Sequence, residues 1–200
     1  MTTRALRPAR RRGAATALAL AALAGTGAFA DPAAASDHRL YLAASGGASI
    51  YDVDCRGSST CDRVDRAGRA AVGFFVAHNL AVEATVVDFG SAFASRGADS
   101  QRWRARLAGV GLAVPLDFGG PWSGLLRFGI ASVHMTSDRG SAGVFVRSTG
   151  NSAEGYAGLA VAYALTPQVA LELAFDSTRA EVAGSAGRVD ALTFGVQLRF

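Results

Sequence analysis

The chain has 200 residues, a formal net charge of +4, 50% hydrophobic residues and 18% charged ones. That length suits one domain with a core of useful size. All 20 basic residues are arginine, and Arg4, Arg7, Arg10, Arg11 and Arg12 fall in the first dozen positions, whereas all 16 acids lie at or after Asp31. Without the first thirty residues, fifteen arginines face 16 acids, a net of −1. The basic balance therefore belongs to the N-terminal segment and excludes a charge-based argument for nucleic-acid binding by the remainder.

That segment has the layout of an export signal. Basic Met1–Gly13 precedes apolar Ala14–Leu23 and the small-residue site Ala28-Phe29-Ala30, which predicts cleavage after Ala30, with a second possible site after Ala35. The apolar stretch is too short to cross a hydrocarbon core of roughly 30 Å as a helix. The expected organisation is a signal peptide over 1–30, a short lead over 31–38 and one domain over 39–200. Cys55 and Cys61 enclose a Gly/Ser-rich loop, and an exported chain meets an oxidising compartment, so a disulfide is expected. Two thiols with no nearby histidine make a poor metal set. Neither a metal nor a cofactor is expected.

From residue 39 onward, apolar residues alternate with period two, which puts them on one side of a strand. The first strand, about Arg39–Ile50, is the weakest, because Gly46-Gly47 blurs the alternation begun by Leu40 and Leu42. Arg69–Val76 sets Val72, Phe74 and Val76 against Arg69, Ala71 and Gly73, and Leu80–Phe89 sets Val82, Ala84 and Val86 against Glu83 and Thr85. Arg102–Pro115 places Arg102, Arg104 and Arg106 on one face and Trp103, Ala105 and Leu107 on the other. Leu126, Phe128 and Ile130 oppose Arg127, Gly129 and Ala131; Leu159, Val161 and Tyr163 oppose Gly158, Ala160 and Ala162. Leu171, Leu173 and Phe175 oppose Glu172, Ala174 and Asp176, and Leu192, Phe194, Val196, Leu198 and Phe200 close the chain against Thr193, Gly195, Gln197 and Arg199. The count is eight strands.

The connections alternate as well. Ala77–Asn79, Asp117–Trp122 and Thr166–Gln168 are short; Asp52–Asp65, Gly90–Ser100, Thr136–Ala153 and Ser177–Arg188 are long and polar. An up-and-down antiparallel sheet puts all short turns at one end, as outer-membrane barrels do with their periplasmic turns. The polar faces are built mostly of Gly and Ala, which suits a narrow lumen, and they carry Arg69, Glu83, Arg104, Arg106, Arg127, Glu172 and Arg199 as a charge network inside it. The apolar faces of the last three strands lack charges, as lipid requires: a lipid-facing Arg costs roughly 2–4 kcal/mol. Trp122, Tyr163 and Phe200 at the turn end and Phe89 and Trp103 at the loop end read as interfacial girdles. The fold class is therefore all-β, an eight-stranded antiparallel up-and-down transmembrane β-barrel.

Three stretches carry a family resemblance: Asp54-Cys55 through Cys61-Asp62 to Asn79–Gly90; Gly155–Pro167; and Leu192–Phe200. On them the chain over about 39–200 resembles the OmpA-like eight-stranded outer-membrane β-barrel family, barrel domain only. The resemblance implies residence in the outer membrane, contact with its lipid and lipopolysaccharide, and a terminal signal (Phe194, Val196, Leu198, Phe200) read by the barrel-assembly machinery. No peptidoglycan-binding domain follows the barrel, so cell-wall tethering is not expected, and the protein is expected to be a monomer.

For function, eight strands leave an interior just wide enough for side chains, which argues against a diffusion pore. The expectation is a non-enzymatic structural or surface-interaction protein acting through extracellular loops; the alternatives are a lipid-A-modifying barrel enzyme and a narrow ion-conducting, porin-like barrel. The enzyme needs a nucleophile with a base in reach. Of His38, His78 and His134, only His134, near Ser132 and Asp138, is a candidate. Asp52, Asp54, Asp62 and Asp65 in the first long loop could hold a divalent cation, but Arg56, Arg63 and Arg66 balance them, which favours a solvated mixed-charge loop. Gly109-Val110-Gly111 has no following helix and is no nucleotide loop.

Overall fold

Alternating sequence gives strands wherever one face meets an apolar medium and the other does not. In the computed structural model, which describes residues 39–200 apart from Asp54, Gly57, Ala142, Ala183 and Gly184, nine strands form. They are β1 (Leu40–Tyr51), β2 (Thr60–Asp62), β3 (Val64–Ala77), β4 (Leu80–Arg96), β5 (Asp99–Asp117), β6 (Trp122–Ser141), β7 (Val144–Ala164), β8 (Val169–Val182) and β9 (Ser185–Arg199). The export signal, the lead and His38 lie outside the described residues. Eight strands close a ring in sequence order, sealed where β1 pairs with β9 from Tyr41↔Arg199 to Tyr51↔Val189. β2 is a three-residue piece beside the ring, paired with β4 from Thr60↔Ser95 to Asp62↔Phe93. Closure removes the free edges that an open sheet would expose through the membrane.

Both ends of the ring meet at one rim, where Phe200 N donates to Leu40 O (2.8 Å) and Leu40 N to Phe200 O (3.2 Å). The three short turns lie at this turn end. The opposite, hairpin end differs from the sequence expectation. Of the four long loops, only Asp52–Arg63 is largely irregular; the others are strands. β4 and β5 run on to Arg96↔Asp99, β6 and β7 to Ser141↔Val144, and β8 and β9 to Val182↔Ser185. The reason is the solvent. Beyond the bilayer both faces of a hairpin meet water, so the alternation that betrays a strand disappears although the hydrogen-bonded ladder continues.

Inside the lipid-crossing stretch the alternation is maintained. Val82, Val110, Phe128, Ile130, Leu173, Phe175, Phe194 and Val196 point outward, and their neighbours along the chain point into the lumen. One irregularity sets the geometry of the hairpin end: the β4–β5 register shifts between Asp88 and Ser91. Gly90 takes φ 66° there, a left-handed conformation natural to glycine. Asp65 fastens the bulge, accepting hydrogen bonds from Ser91 N (2.6 Å), Ser91 Oγ (2.9 Å) and its neighbour Arg66 N (2.8 Å). These donors, led by the two backbone amides, hold the Asp65 carboxyl below its usual range.

Candidate functional site

The lumen is filled in three tiers. At the hairpin end, Tyr51, Phe89, Leu107, Val133, Met135 and Tyr156 form an apolar plug. Tyr51 ties it to the wall, donating to Gly90 O (2.8 Å) and accepting from Ala105 N (3.1 Å). Phe89 and Trp103, expected in an interfacial girdle, belong to this plug instead, Phe89 fully buried and Trp103 packed against it. At the turn end the girdle does form outside: Trp122 and Tyr163 meet edge to face at 4.9 Å.

The middle tier is a charge layer. Arg69 on β3 reaches Glu172 on β8 (2.8 Å), Glu83 on β4 (3.3 Å) and Asp176 on β8 (3.4 Å). Arg127 on β6 reaches Asp176 (3.1 Å), and its other nitrogens lie 3.9 Å from Glu83 and Glu172, a Coulombic rather than hydrogen-bonding distance. Tyr41 on β1 donates to Glu83 (2.7 Å). The layer thus joins five strands across the lumen, with two guanidinium groups against three carboxyl groups. Gly158 makes room for it: a Cβ there would press on Asp176 Oδ1 and Arg127 Nε, at 2.5 and 3.0 Å.

At the turn end, a cavity of about 200 Å³ opens beside Ser123, Glu172, Gln197 and Arg199. Arg199 is part of its lining, donating to Ser123 Oγ and Gln197 Oε1, both at 3.1 Å.

Of the expected lumen network, then, Arg69, Glu83, Arg127 and Glu172 come together, and Arg199 lies one tier below them. Arg104 and Arg106 do not belong to it. Both lie exposed on the outer wall, while Ala105 and Leu107 point inward. β5 is 19 residues long, more than a crossing needs. Its outward face is apolar at Leu112, Val110 and Ala108 and charged above them, where it has left the hydrocarbon. Sequence reasoning misses two members. Asp176 falls on the Glu172 side of the β8 alternation, and Tyr41 on the lumen side of Leu40 and Leu42; both parities are readable.

Cys55 and Cys61 are joined as expected. Phe194, Val196, Leu198 and Phe200 all project outward. His78 sits in the first turn. His134 is exposed on the outer wall, opposite Arg106 and Asn151; nearby Ser132 Oγ donates to Asn151 (2.9 Å), and Asp138 is held by Arg147 (2.6 and 3.3 Å). The three do not form a nucleophile–base set. Among the described residues no group of three His, Cys, Asp or Glu side chains is placed to hold a metal.

A closed antiparallel ring with a bulky apolar exterior, a small-residue lumen and a buried charge layer defines a membrane-crossing β-barrel. Comparison then makes the assignment specific: residues 16–200 match the family described as outer membrane protein beta-barrel domain, and the chain belongs to that family. Its place is accordingly the outer membrane. The fold is similar to that of Neisserial surface protein A (18% identity, TM-score 0.58, 80% of this chain and 97% of that one). It is also similar to the attachment invasion locus protein Ail of Yersinia pestis (11% identity, TM-score 0.53, 81% and 99%) and to the outer membrane protein OprG of Pseudomonas aeruginosa (12% identity, TM-score 0.52, 82% and 97%). No significant match is found among curated proteins.

Proposed function

We propose that the protein is a non-conducting, non-enzymatic barrel that acts as a surface-interaction module, through the β6–β7 hairpin held outside the cell. The carrying observation is a free strand edge. β7 pairs with β8 only from Tyr156↔Thr178 to Ala164↔Ala170, so among the described residues Val144–Gly155 pair with β6 alone. Short of Gly155, whose carbonyl accepts from Thr178 Oγ1, one side of that segment offers backbone donors and acceptors with no strand beside them, the chemistry by which an extended strand of another protein adds to a sheet. The tip adds apolar surface: Phe145 is 82% exposed, between Val144 and Val146.

The other parts agree. The apolar plug and charge layer argue against steady solute flux, and the engagement of Ser132 by Asn151 and of Asp138 by Arg147, rather than by His134, argues against lipid-A chemistry. The two ends of the ring, Leu40 and Phe200, and the short turns at one rim support a periplasmic turn end, with the hairpins outside. On this reading residues 1–30 are removed on export, the outward C-terminal stripe Phe194, Val196, Leu198 and Phe200 is read during assembly, and the barrel works as a monomer. Attachment, the role for which the Yersinia pestis protein Ail is named, is the kind of activity intended.

The test replaces Asp138–Arg147 by an Asn-Gly turn, which the Ser137↔Ser148 register accommodates. Cells displaying the shortened barrel, its folding checked by heat-modifiable migration, should lose attachment to host-cell and matrix-coated surfaces. Equal attachment overturns the hairpin's role. Steady small-solute flux in liposome swelling would favour the porin-like alternative, and altered lipid A in expressing cells the enzymatic one.

A further inference from the structure

Above its bulge, β4 loses one neighbour and takes another. β3 pairs with it only as far as Gly68↔Asp88, while β4 runs on to Arg96 beside β5. Over that upper stretch the side that β3 leaves is covered by β2, through Thr60↔Ser95, Cys61↔Ala94 and Asp62↔Phe93. Ser59 extends the cover, its amide and its hydroxyl both donating to Ser95 O (2.8 and 3.0 Å). A three-residue strand is at the lower limit of strand length and is marginal in water on its own. The Cys55–Cys61 bond closes the segment, and Cys61 lies within β2 itself.

The two sulfurs stand in unequal surroundings. Arg63 donates from Nε to Cys55 Sγ (3.0 Å). Its backbone is anchored to the ring, Arg63 O accepting from Tyr51 N (2.9 Å), which fixes where the side chain starts. Arg63 forms no ion pair among the described residues, so no carboxylate contact neutralises it. In the sequence Cys55 stands between Asp54 and Arg56, whose charges offset one another, whereas Cys61 is followed by Asp62. Both cysteines are half-buried, in a loop folded by the turn from Cys55 O to Ser58 N (3.1 Å). A cation against one sulfur stabilises the thiolate formed when that sulfur leaves. Thiol–disulfide exchange is faster when the leaving thiolate is the stabilised one, and an asymmetric disulfide is then opened in one direction.

We infer that Cys55–Cys61 is an exchange site for a small-molecule thiol, and that β2 is the latch it releases. A thiolate attacks Cys61 Sγ. Its sulfur bonds to Cys61 as the bond to Cys55 breaks, and the electron pair leaves on Cys55 Sγ beside the Arg63 guanidinium. A second thiolate attacks the outer sulfur of the adduct and expels Cys61, and both cysteines then take up the protons that the two thiols gave up. Two thiols are thereby oxidised to one disulfide, and the protein disulfide is reduced to two thiols. Half-buried sulfurs in a tight loop beside β4 admit a small thiol and exclude a cysteine on another protein's folded surface. Once the bond is open, β2 keeps only its three-residue ladder, and Phe93–Ser95 become a second strand edge at the hairpin end. The exchange rests on Arg63 and is independent of the role given to the β6–β7 hairpin.

The experiment treats the full oxidised barrel in phospholipid vesicles with glutathione, traps free thiols with N-ethylmaleimide and locates both groups by peptide mass spectrometry. Glutathione should be found on Cys61 and the maleimide on Cys55; the reverse overturns the direction of attack, and an intact disulfide overturns the site. Arg63→Gln, which keeps a donor but no charge, should slow the exchange several-fold, whereas Arg63→Lys should keep most of the rate. Equal rates for wild type and Arg63→Gln overturn the role of the guanidinium. A folded protein with one surface cysteine should react far more slowly than glutathione, and an equal rate overturns the small-thiol assignment. Amide hydrogen exchange at Ser59, whose N–H is held by Ser95, should accelerate several-fold in the reduced barrel. If it is unchanged, β2 is no latch.

Discussion

Arginine occupies two environments in this barrel. Arg69 and Arg127 are sealed in the lumen, their side chains fully buried, each meeting carboxylates from more than one strand. Arg106 and Arg147 stand on the outside, 61% and 72% exposed, each beside a single aspartate on the neighbouring strand. The distances are alike, 2.8 Å for Arg69–Glu172 and for Arg106–Asp88, yet the consequences are opposite. In the lumen both partners have lost their water, so removing either strands the other; outside, water and salt screen whatever is lost. The inner layer is suited to fixing which strands meet and in what register. The outer charges can change at little cost to the fold, which leaves them available for binding.

The largest expected effect comes from breaking the inner layer. Arg69→Met leaves Glu83 and Glu172 without their closest guanidinium and should destabilise the folded barrel by about 3–5 kcal/mol, read from urea titration in phospholipid vesicles. An unchanged midpoint would mean that the layer does not hold the barrel. The converse change puts a charge on the lipid side. Leu173→Arg, outward on β8, should cost roughly 2–4 kcal/mol in the same titration, whereas Arg106→Ala, above the hydrocarbon, should leave the midpoint in place. If the two move the midpoint equally, the assignment of lipid and water to the outer wall is wrong. Tyr41→Phe removes one donor to the buried Glu83 and should cost about 1.5–3 kcal/mol.

A smaller effect follows pH at the edge of the two environments. The folded Asp65 carboxyl titrates below its ordinary value of 3.8. Its contribution is therefore complete above that ordinary value and is lost as pH falls through the depressed one. Amide exchange at Arg66 and Ser91, taken relative to the intrinsic rate at each pH, should accelerate as pH falls below that ordinary value, and Asp65→Asn should flatten that dependence. A bulge with the same acid sensitivity in the variant would show that another group holds it. The smallest effect belongs to Arg147→Ala: no shift of the unfolding midpoint, but faster exchange in the β6–β7 hairpin, weaker in contrast at high salt.

Legibility follows the solvent. Where one face of a strand meets lipid and the other a crowded lumen, every parity is readable, and alternation alone places Arg69, Glu83, Arg127 and Glu172 correctly. Asp176 and Tyr41 stand on the right faces without being singled out, because a residue's face does not reveal its height in the barrel. Where strands pass into water the signal fails twice. Hairpin extensions such as Thr136–Ala153 read as loops, and Arg104 and Arg106 read as inward because a charged face is expected to avoid lipid.

By itself the sequence determined an eight-stranded alternating barrel with its short turns at one end, because period-two burial leaves a mark at every residue that crosses the membrane. Only the tertiary structure decided which charges meet, where the hydrocarbon ends along each strand, and that β7 extends beyond its β8 neighbour. Those depend on register and on height along the barrel axis, and these arise from pairing between strands rather than from the pattern within any one of them.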